Sequence, residues 1–471
     1  MRSIHHLCIA TLVGLSLSTQ AQEPAQQTVE LPAFDLSTAL REGGAPMTAD
    51  AVAAKAVATA PSIARARAAG DRAREVADAA MWAVYPRLDL QASYARLSDN
   101  DPSEFEFTGT DPVTGAPATF AGTQPTPLLD QYGLQARLSY PLTDLFFQIL
   151  PRYRAAQETA DVEGWNEKAR AREVDLQARE AFYEYARARA ALEVARSGLA
   201  QSEAQRRDVA ALVTGGTLAR VELLRADAQV AAARVTIARA EGSVAIARTT
   251  LRSLLHEESE AEIGVAEDLL APAPAITESK AQLLAQALHE RSELRSLRSL
   301  AQAQEETVSA NEGEKLPDLS LDAVYDLGNP NLQRGSSFQR EWIGSWALMG
   351  ILRWSPNDFV VAGARAGASR AERTQTLADV AALEDALRRE VARAYEDHQA
   401  AQAALEAAKV GITAAEESYR VRREQFRAGA AVATDVVYAE ADLRRARLEL
   451  VNAAIDIRIA RARLNRALER S

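Results

Sequence analysis

Two acidic side chains stand at matching places in this sequence and are its clearest candidates for chemistry. Asp435 follows Gly429 by six residues, and Glu222 follows Gly216 by six. Each is expected in the first turn of a helix, where the dipole already favours a carboxylate. The five histidines offer less. His5 and His6 lie in an N-terminal leader, His256 and His289 have no partner near them in sequence, and His398 falls on an apolar seam as a packed core residue. The single cysteine, Cys8, leaves the mature chain without a thiolate ligand, a disulfide or a thiol catalyst. No Ser, His and Asp occur in a nucleophile-elbow context, and no Gly-rich phosphate loop precedes a helix. The expectation is a protein that is not an enzyme, with no metal and no cofactor.

The elements that would position the two acids are long helices. From Leu387, small or apolar residues recur at Val391, Ala394, Ala401, Leu405, Ala408, Ile412, Ala415 and Tyr419, with His398 in the one gap. The steps alternate four and three, which is a heptad seam. Beyond Gly429 the seam resumes at Val436, Ala439, Leu443, Ala446, Leu450, Ala453, Ile457, Ala460, Leu464 and Ala467. Large and small residues alternate, so two helices can pack side chain over Ala. Helix, Gly turn and helix make a long antiparallel hairpin.

The hairpin occurs twice. At an offset of 213, Ala190-Ala191-Leu192-Glu193 falls on Ala403-Ala404-Leu405-Glu406, Gly216 on Gly429, and Ile246-Ala247-Arg248 on Ile459-Ala460-Arg461. One offset held through the Gly turn marks an internal duplication.

Composition agrees with helices packed through Ala: aromatics are 6% of the 471 residues and charged residues 25%. The net charge of -11 is spread along the chain, leaving no basic patch and no nucleic-acid partner. Residues 1–21 read as a secretory signal peptide: Arg2, an apolar stretch over 7–17, and Thr19-Gln20-Ala21 as cleavage site. A free N-terminus near Gln22 is expected, then an extended arm over 22–47. No later apolar run is long enough for a transmembrane helix.

After a helix over 48–84, with Thr48 as N-cap, the period changes to two. Leu88, Leu90, Ala92 and Tyr94 alternate with polar residues, as do Tyr132, Leu134, Ala136, Leu138 and Tyr140. They give a hairpin over 87–141, with 98–127 as an exposed loop. A second hairpin over 318–354 sets Leu319, Leu321, Ala323 and Tyr325 beside Trp342, Gly344, Trp346, Leu348, Gly350, Leu352 and Trp354. Strands of about 9–11 residues with Tyr94, Tyr132, Tyr140, Tyr325, Trp342 and Trp354 at or near their ends suit a membrane aromatic belt in a β-barrel. Four strands cannot close one, since the smallest have about 8; three copies give 12. The helix over 144–213 measures about 105 Å, against about 55 Å for 48–84 and about 60 Å for 217–256. One long helix is thus matched by two half-length helices, and helices over 277–314, 358–427 and 431–469 repeat the scheme after a linker at 257–276. The first repeat spans 48–256 and the second 277–471.

With these features the chain resembles the TolC-type outer-membrane efflux proteins over essentially all of its mature length. The most specific stretch runs from Phe426-Arg427-Ala428-Gly429 to Asp435-Val436-Val437-Tyr438-Ala439; the first copy, Gly216 through Glu222-Leu223-Leu224 to Ala226, keeps the spacing. The resemblance implies a mainly α chain with a membrane β-barrel: a homotrimer sharing a 12-stranded barrel in outer-membrane lipid, above a coiled-coil helical tunnel across the periplasm. It implies an exit duct that docks on a periplasmic membrane-fusion adaptor and, through it, an inner-membrane pump or ABC exporter. Asp435 then resembles the family's acidic ring at the periplasmic constriction, with Glu222 its counterpart. One residue per chain becomes three on the axis, a ring that favours cations. The adaptor-contact tip would be Gly215, Gly216, Thr217 and Leu218 with Gly429, Ala430, Ala431 and Val432. Ala431 stands where members have a basic residue and Tyr438 where a second gate Asp can occur, so a salt-bridge lock does not carry over.

The alternative from another class is a secreted or periplasmic coiled-coil scaffold whose alternating segments form a small soluble sheet. The cargo stays open among drugs, metal ions and secreted polypeptides, although the lack of a Met- or His-rich stripe disfavours dedicated copper or silver export.

Overall fold

A computed structural model describes residues 44–99, 104–123, 128–257, 263–271, 276–331 and 340–470. The expected signal peptide and nearly all of the arm lie outside these residues. The arm's last residues, Ala45–Met47 (β1), form a short strand. Helix α1 (Ala49–Thr59) starts at Thr48, whose hydroxyl accepts from Ala51 N at 3.2 Å. Helix α2 (Pro61–Trp82) follows at once. The single helix expected over 48–84 is therefore two. Pro61 brings no amide hydrogen and drives Ala60 out of the helical region, to φ -64°, ψ 121°.

Strand β2 (Arg87–Arg96) leads to a segment expected to be loop but carrying an antiparallel ribbon, β3 (Glu104–Thr110) and β4 (Pro117–Thr123). Its own alternation, Phe105 and Phe107 between Glu104, Glu106 and Thr108, supplies two faces. Strand β5 (Asp130–Pro141) pairs back on β2. A single turn and a π-helical segment, Leu145–Ile149, then open α3 (Leu150–Thr214). Gly313 lies against that segment so closely that a Cβ there would fall 2.1 Å from the Phe147 carbonyl oxygen.

Helix α4 (Arg220–Leu255) returns along α3. The expected linker contains β6 (Ile263–Val265), which pairs parallel with β1. The second repeat begins with α5 (Lys280–Glu290), opened by a Ser279–Gln282 capping box, and α6 (Ser292–Gly313). Again one expected helix is two, broken at Arg291 with φ -59°, ψ 121°. No proline acts here. The buried Arg291 guanidinium holds the break, donating to the Arg466 carbonyl at 2.8 Å and to Glu390 at 3.1 Å. Strands β7 (Asp318–Asn329) and β8 (Ile343–Arg353) precede α7 (Pro356–Arg427) and α8 (Ala433–Ala467).

The two strand pairs join through β5 and β7 into one four-stranded antiparallel sheet, β2-β5-β7-β8, with edges at β2 and β8 that no described strand covers. The core runs along the heptad seam. Leu405 packs on Ala453, Ala454 and Ile457, while Val391 and Ala394 pack on Leu283, Ala287, Leu464 and Ala467. Each fully buried Leu contributes about 1.5–3 kcal/mol. Helix α8 is wedged between α7 and α3 and buries residues on most of its sides, whereas α4 is covered by α3 and touches α1 only in passing. Its buried residues are Ala226, Val230, Leu251 and Leu255.

Candidate functional site

Both long helices end in the same way. Gly216 and Gly429 take φ +74° and +73°, the left-handed region where a Cβ is penalised. Thr217 N reaches back to the Leu212 carbonyl at 2.9 Å and Gly216 N to Val213 at 3.1 Å; Ala430 N and Gly429 N do likewise with Gln425 and Phe426, at 2.8 and 3.0 Å. These are paired Schellman closures. Neither return helix has a side-chain cap, and Glu222 and Asp435 each occupy the third helical position.

The two turns lie side by side and enclose a groove of about 560 Å³ lined by Thr217, Leu218, Gly429, Ala431 and Val432, with Leu212 and Phe426 as its apolar floor. Gly215, Gly216 and Ala430 supply backbone to the turns without lining it. Glu222 lines the groove and pairs with Arg225 at 2.7 Å. Asp435 is half-buried outside the groove; its backbone N–H donates to the Val432 carbonyl at 3.1 Å, and its carboxylate has no ion pair or hydrogen bond among the described residues. The two acids therefore share a helix position but not an environment.

Behind the turns lies a polar contact between the hairpins that the seam pattern does not announce. The Ser202 hydroxyl donates to Glu440 Oε1 at 2.9 Å, and Glu440 is 5% exposed. Burial pushes its carboxyl above the usual range, against the pull of Ser202 and Arg444. Arg447 donates to Ser197 at 2.7 Å, and Asp208 lies 3.6 and 3.3 Å from Arg423 and Arg427. A signal did exist. Under the offset of 213, Tyr419 and Glu440 fall on Arg206 and Asp227, which form an ion pair inside the first hairpin. His398 is 1% exposed, neither ring nitrogen has a hydrogen-bond partner among the described residues, and burial with Arg461 nearby lowers its pKa. Among the described residues no cluster of His, Cys, Asp and Glu could hold a metal.

At the other end, one face of the sheet is apolar across all four strands. Register places Leu88, Leu138, Ala323 and Leu348 in one row and Leu90, Ala136, Tyr325 and Trp346 in the next. The large side chains of both rows stand open, Leu90 at 75% and Trp346 at 74% exposure, and Ala136 and Ala323 are half-buried between them. The opposite face is polar on β2 and β5, where Gln135 donates to Asp326 of β7 at 2.7 Å, and turns apolar toward β8, which places Ala347, Met349 and Ile351 there. Tyr94, Tyr132 and Trp342 cluster at one end of the face, with ring centroids 5.2 and 6.2 Å apart. Tyr140 and Trp354 mark the other end. Tyr325, expected near a strand end, sits mid-strand with its hydroxyl folded toward Gly344. The sequence reading also missed Trp82, Tyr85, Phe146, Phe147 and Phe359, which are exposed where helices meet the sheet. Phe146 and Phe359 correspond under the same offset, which is the signal that could have found them.

The chain matches the family model described as outer membrane efflux protein over residues 52–256 and 283–469. No curated relative matches it in sequence. Its fold is similar to that of the outer-membrane channel OprN, with a TM-score of 0.70 at 19% identity over 90% of each chain. It is also similar to the outer membrane protein VceC of Vibrio cholerae, with a TM-score of 0.68 at 18% identity, covering 90% of this chain and 96% of that one. The open state of the MtrE outer membrane channel of Neisseria gonorrhoeae gives 0.68 at 16% identity over 98% of both. A family match spanning both repeats, on a fold these channels share, identifies the chain as a member of the outer membrane efflux protein family.

Proposed function

We propose that this outer-membrane protein is one third of a passive exit duct, in which three copies close a 12-stranded barrel and their helices continue it through the periplasm. The observation that carries this reading is the apolar face running unbroken over four strands between two free edges. An exposed greasy sheet face suits lipid, and free edges at β2 and β8 suit pairing with the next copy. The duct does no chemistry on its cargo; it forms one arm of a tripartite efflux or type I secretion system. The groove between the turns receives a periplasmic adaptor, which links the duct to an inner-membrane pump or ABC exporter. Asp435 narrows and charges the periplasmic opening, and Glu222, held by Arg225, belongs to the docking rim.

Detergent extraction from outer-membrane fractions followed by native mass measurement tests the assembly. Three copies of a 50.9 kDa precursor give roughly 150 kDa. A soluble monomer absent from membranes would instead leave the coiled-coil scaffold. Conductance of Asp435→Asn tests the gate: cation preference and the closed-state barrier should both fall, and an unchanged channel would remove Asp435 from that role.

A further inference from the structure

The β3–β4 ribbon has one wholly apolar face that its own chain leaves open. Register sets Phe105 opposite Gly122, Phe107 opposite Phe120, and Gly109 opposite Ala118. Phe107 and Phe120 stack at 5.2 Å and Phe105 follows Phe107 at 6.5 Å, so the rings form a ladder. The glycines let the rings lie down on the ribbon: a Cβ at Gly122 would come within 2.6 Å of the Phe105 ring, and one at Gly109 within 3.3 Å of Phe120. Phe107 is nevertheless 56% exposed. The reverse face carries Glu104, Glu106, Thr108 and Thr119. Neither strand joins the four-stranded sheet. A two-stranded ribbon is marginal in water without a partner for its apolar side.

We propose that the other copies of this chain cover the Phe ladder, the three ribbons of the trimer converging ladder to ladder on its axis beyond the rim of the shared barrel. The inference rests on the trimeric reading above. Two observations choose this occupant over lipid. First, the ribbon is the connection between β2, a free edge of the sheet, and its neighbour β5, so in a shared barrel it belongs to the part of the rim next to the following copy. Second, it lies past the Tyr94–Tyr132–Trp342 cluster that ends the apolar face, and Glu104 and Glu106 give its back a negative charge that an anionic lipid surface repels.

The test places single cysteines in the full-length chain with Cys8→Ser. Phe107→Cys lies on the ladder, and Thr108→Cys lies one residue along on the reverse face. With the detergent-extracted trimer confirmed by native mass, a short bismaleimide should convert most Phe107→Cys chains to covalent dimers and under a tenth of Thr108→Cys chains. A trimer in which the two variants cross-link equally, or not at all, overturns the inference and leaves the duct standing. So does quenching of a bimane label at Phe107→Cys by brominated phospholipid, which would assign the ladder to lipid. Absence of any trimer removes the inference together with the reading beneath it.

Discussion

Ser202 and Glu440 join the two hairpins of one chain through a buried hydrogen bond of 2.9 Å, a polar contact set among apolar seams. Ser202→Ala strands the Glu440 oxygen without its donor and should cost about 1–3 kcal/mol, read as a lower melting temperature of the extracted protein.

The same carboxyl makes stability depend on pH. Burial raises the folded-state pKa of Glu440, with Ser202 and Arg444 opposing. A raised pKa means its contribution is complete below the unfolded carboxyl range, near about 4.3, and is lost as pH climbs through the folded value. Glu440→Gln keeps a hydrogen-bonding partner for Ser202 and cannot ionise. It should melt close to wild type in acid and above it at neutral pH. A difference that does not change with pH would show that Glu440 does not titrate in this range.

His398 should act in the opposite sense. Its pKa is lowered by burial, and Arg461 adds to the effect. Its contribution is therefore present above the unfolded value, near about 6.5, and is lost as pH falls through the folded one. His398→Leu also removes two buried ring nitrogens that have no partner among the described residues. Melting curves between mildly acidic and neutral pH should flatten in the variant, with no loss at neutral pH.

Glycine substitutions separate two causes. Nothing lies within 4 Å of a Cβ at Gly429, so Gly429→Ala pays for the left-handed backbone alone, about 1–2 kcal/mol. Gly313→Ala meets the Phe147 carbonyl oxygen and must displace the π-helical segment. Urea titration should rank Gly313→Ala well below Gly429→Ala, and the reverse order would mean that the segment yields freely.

Leu90→Arg should cost about 2–4 kcal/mol if its row lies near the bilayer centre, and Gln91→Arg, on the polar face, far less. The yield of folded protein in outer-membrane fractions reads the difference. Equal yields would favour a soluble sheet.

The seam was legible because period alone encodes it: Val391, Leu405, Val436, Leu443 and Leu464 are buried where the heptad puts them. The Gly turns were legible because a left-handed residue closing a helix favours glycine. The break at Ala60 was written in Pro61, but the break at Arg291 is made by Arg466 and Glu390, far away in sequence. The β1–β6 pairing escapes because three-residue parallel strands carry no period. Glu440 escapes because a helix-surface pattern does not say that a second hairpin lies on top of it. The repeat offset marks Glu440 as the counterpart of Asp227, but its burial comes from α3 packing against α8.

The uneven burial of α4 and α8 bears on how the duplicated halves have parted. Ile246 and Ile459 are the same amino acid at the same repeat position, yet one is 72% exposed and the other 6%. Glu241 corresponds to Ala454, which is fully buried. A chimera carrying the α4 sequence in both halves would therefore drive a carboxylate into the α7–α8 contact around Leu405, while the converse chimera would turn the apolar side of α8 outward. The copies descend from one hairpin but are no longer interchangeable parts.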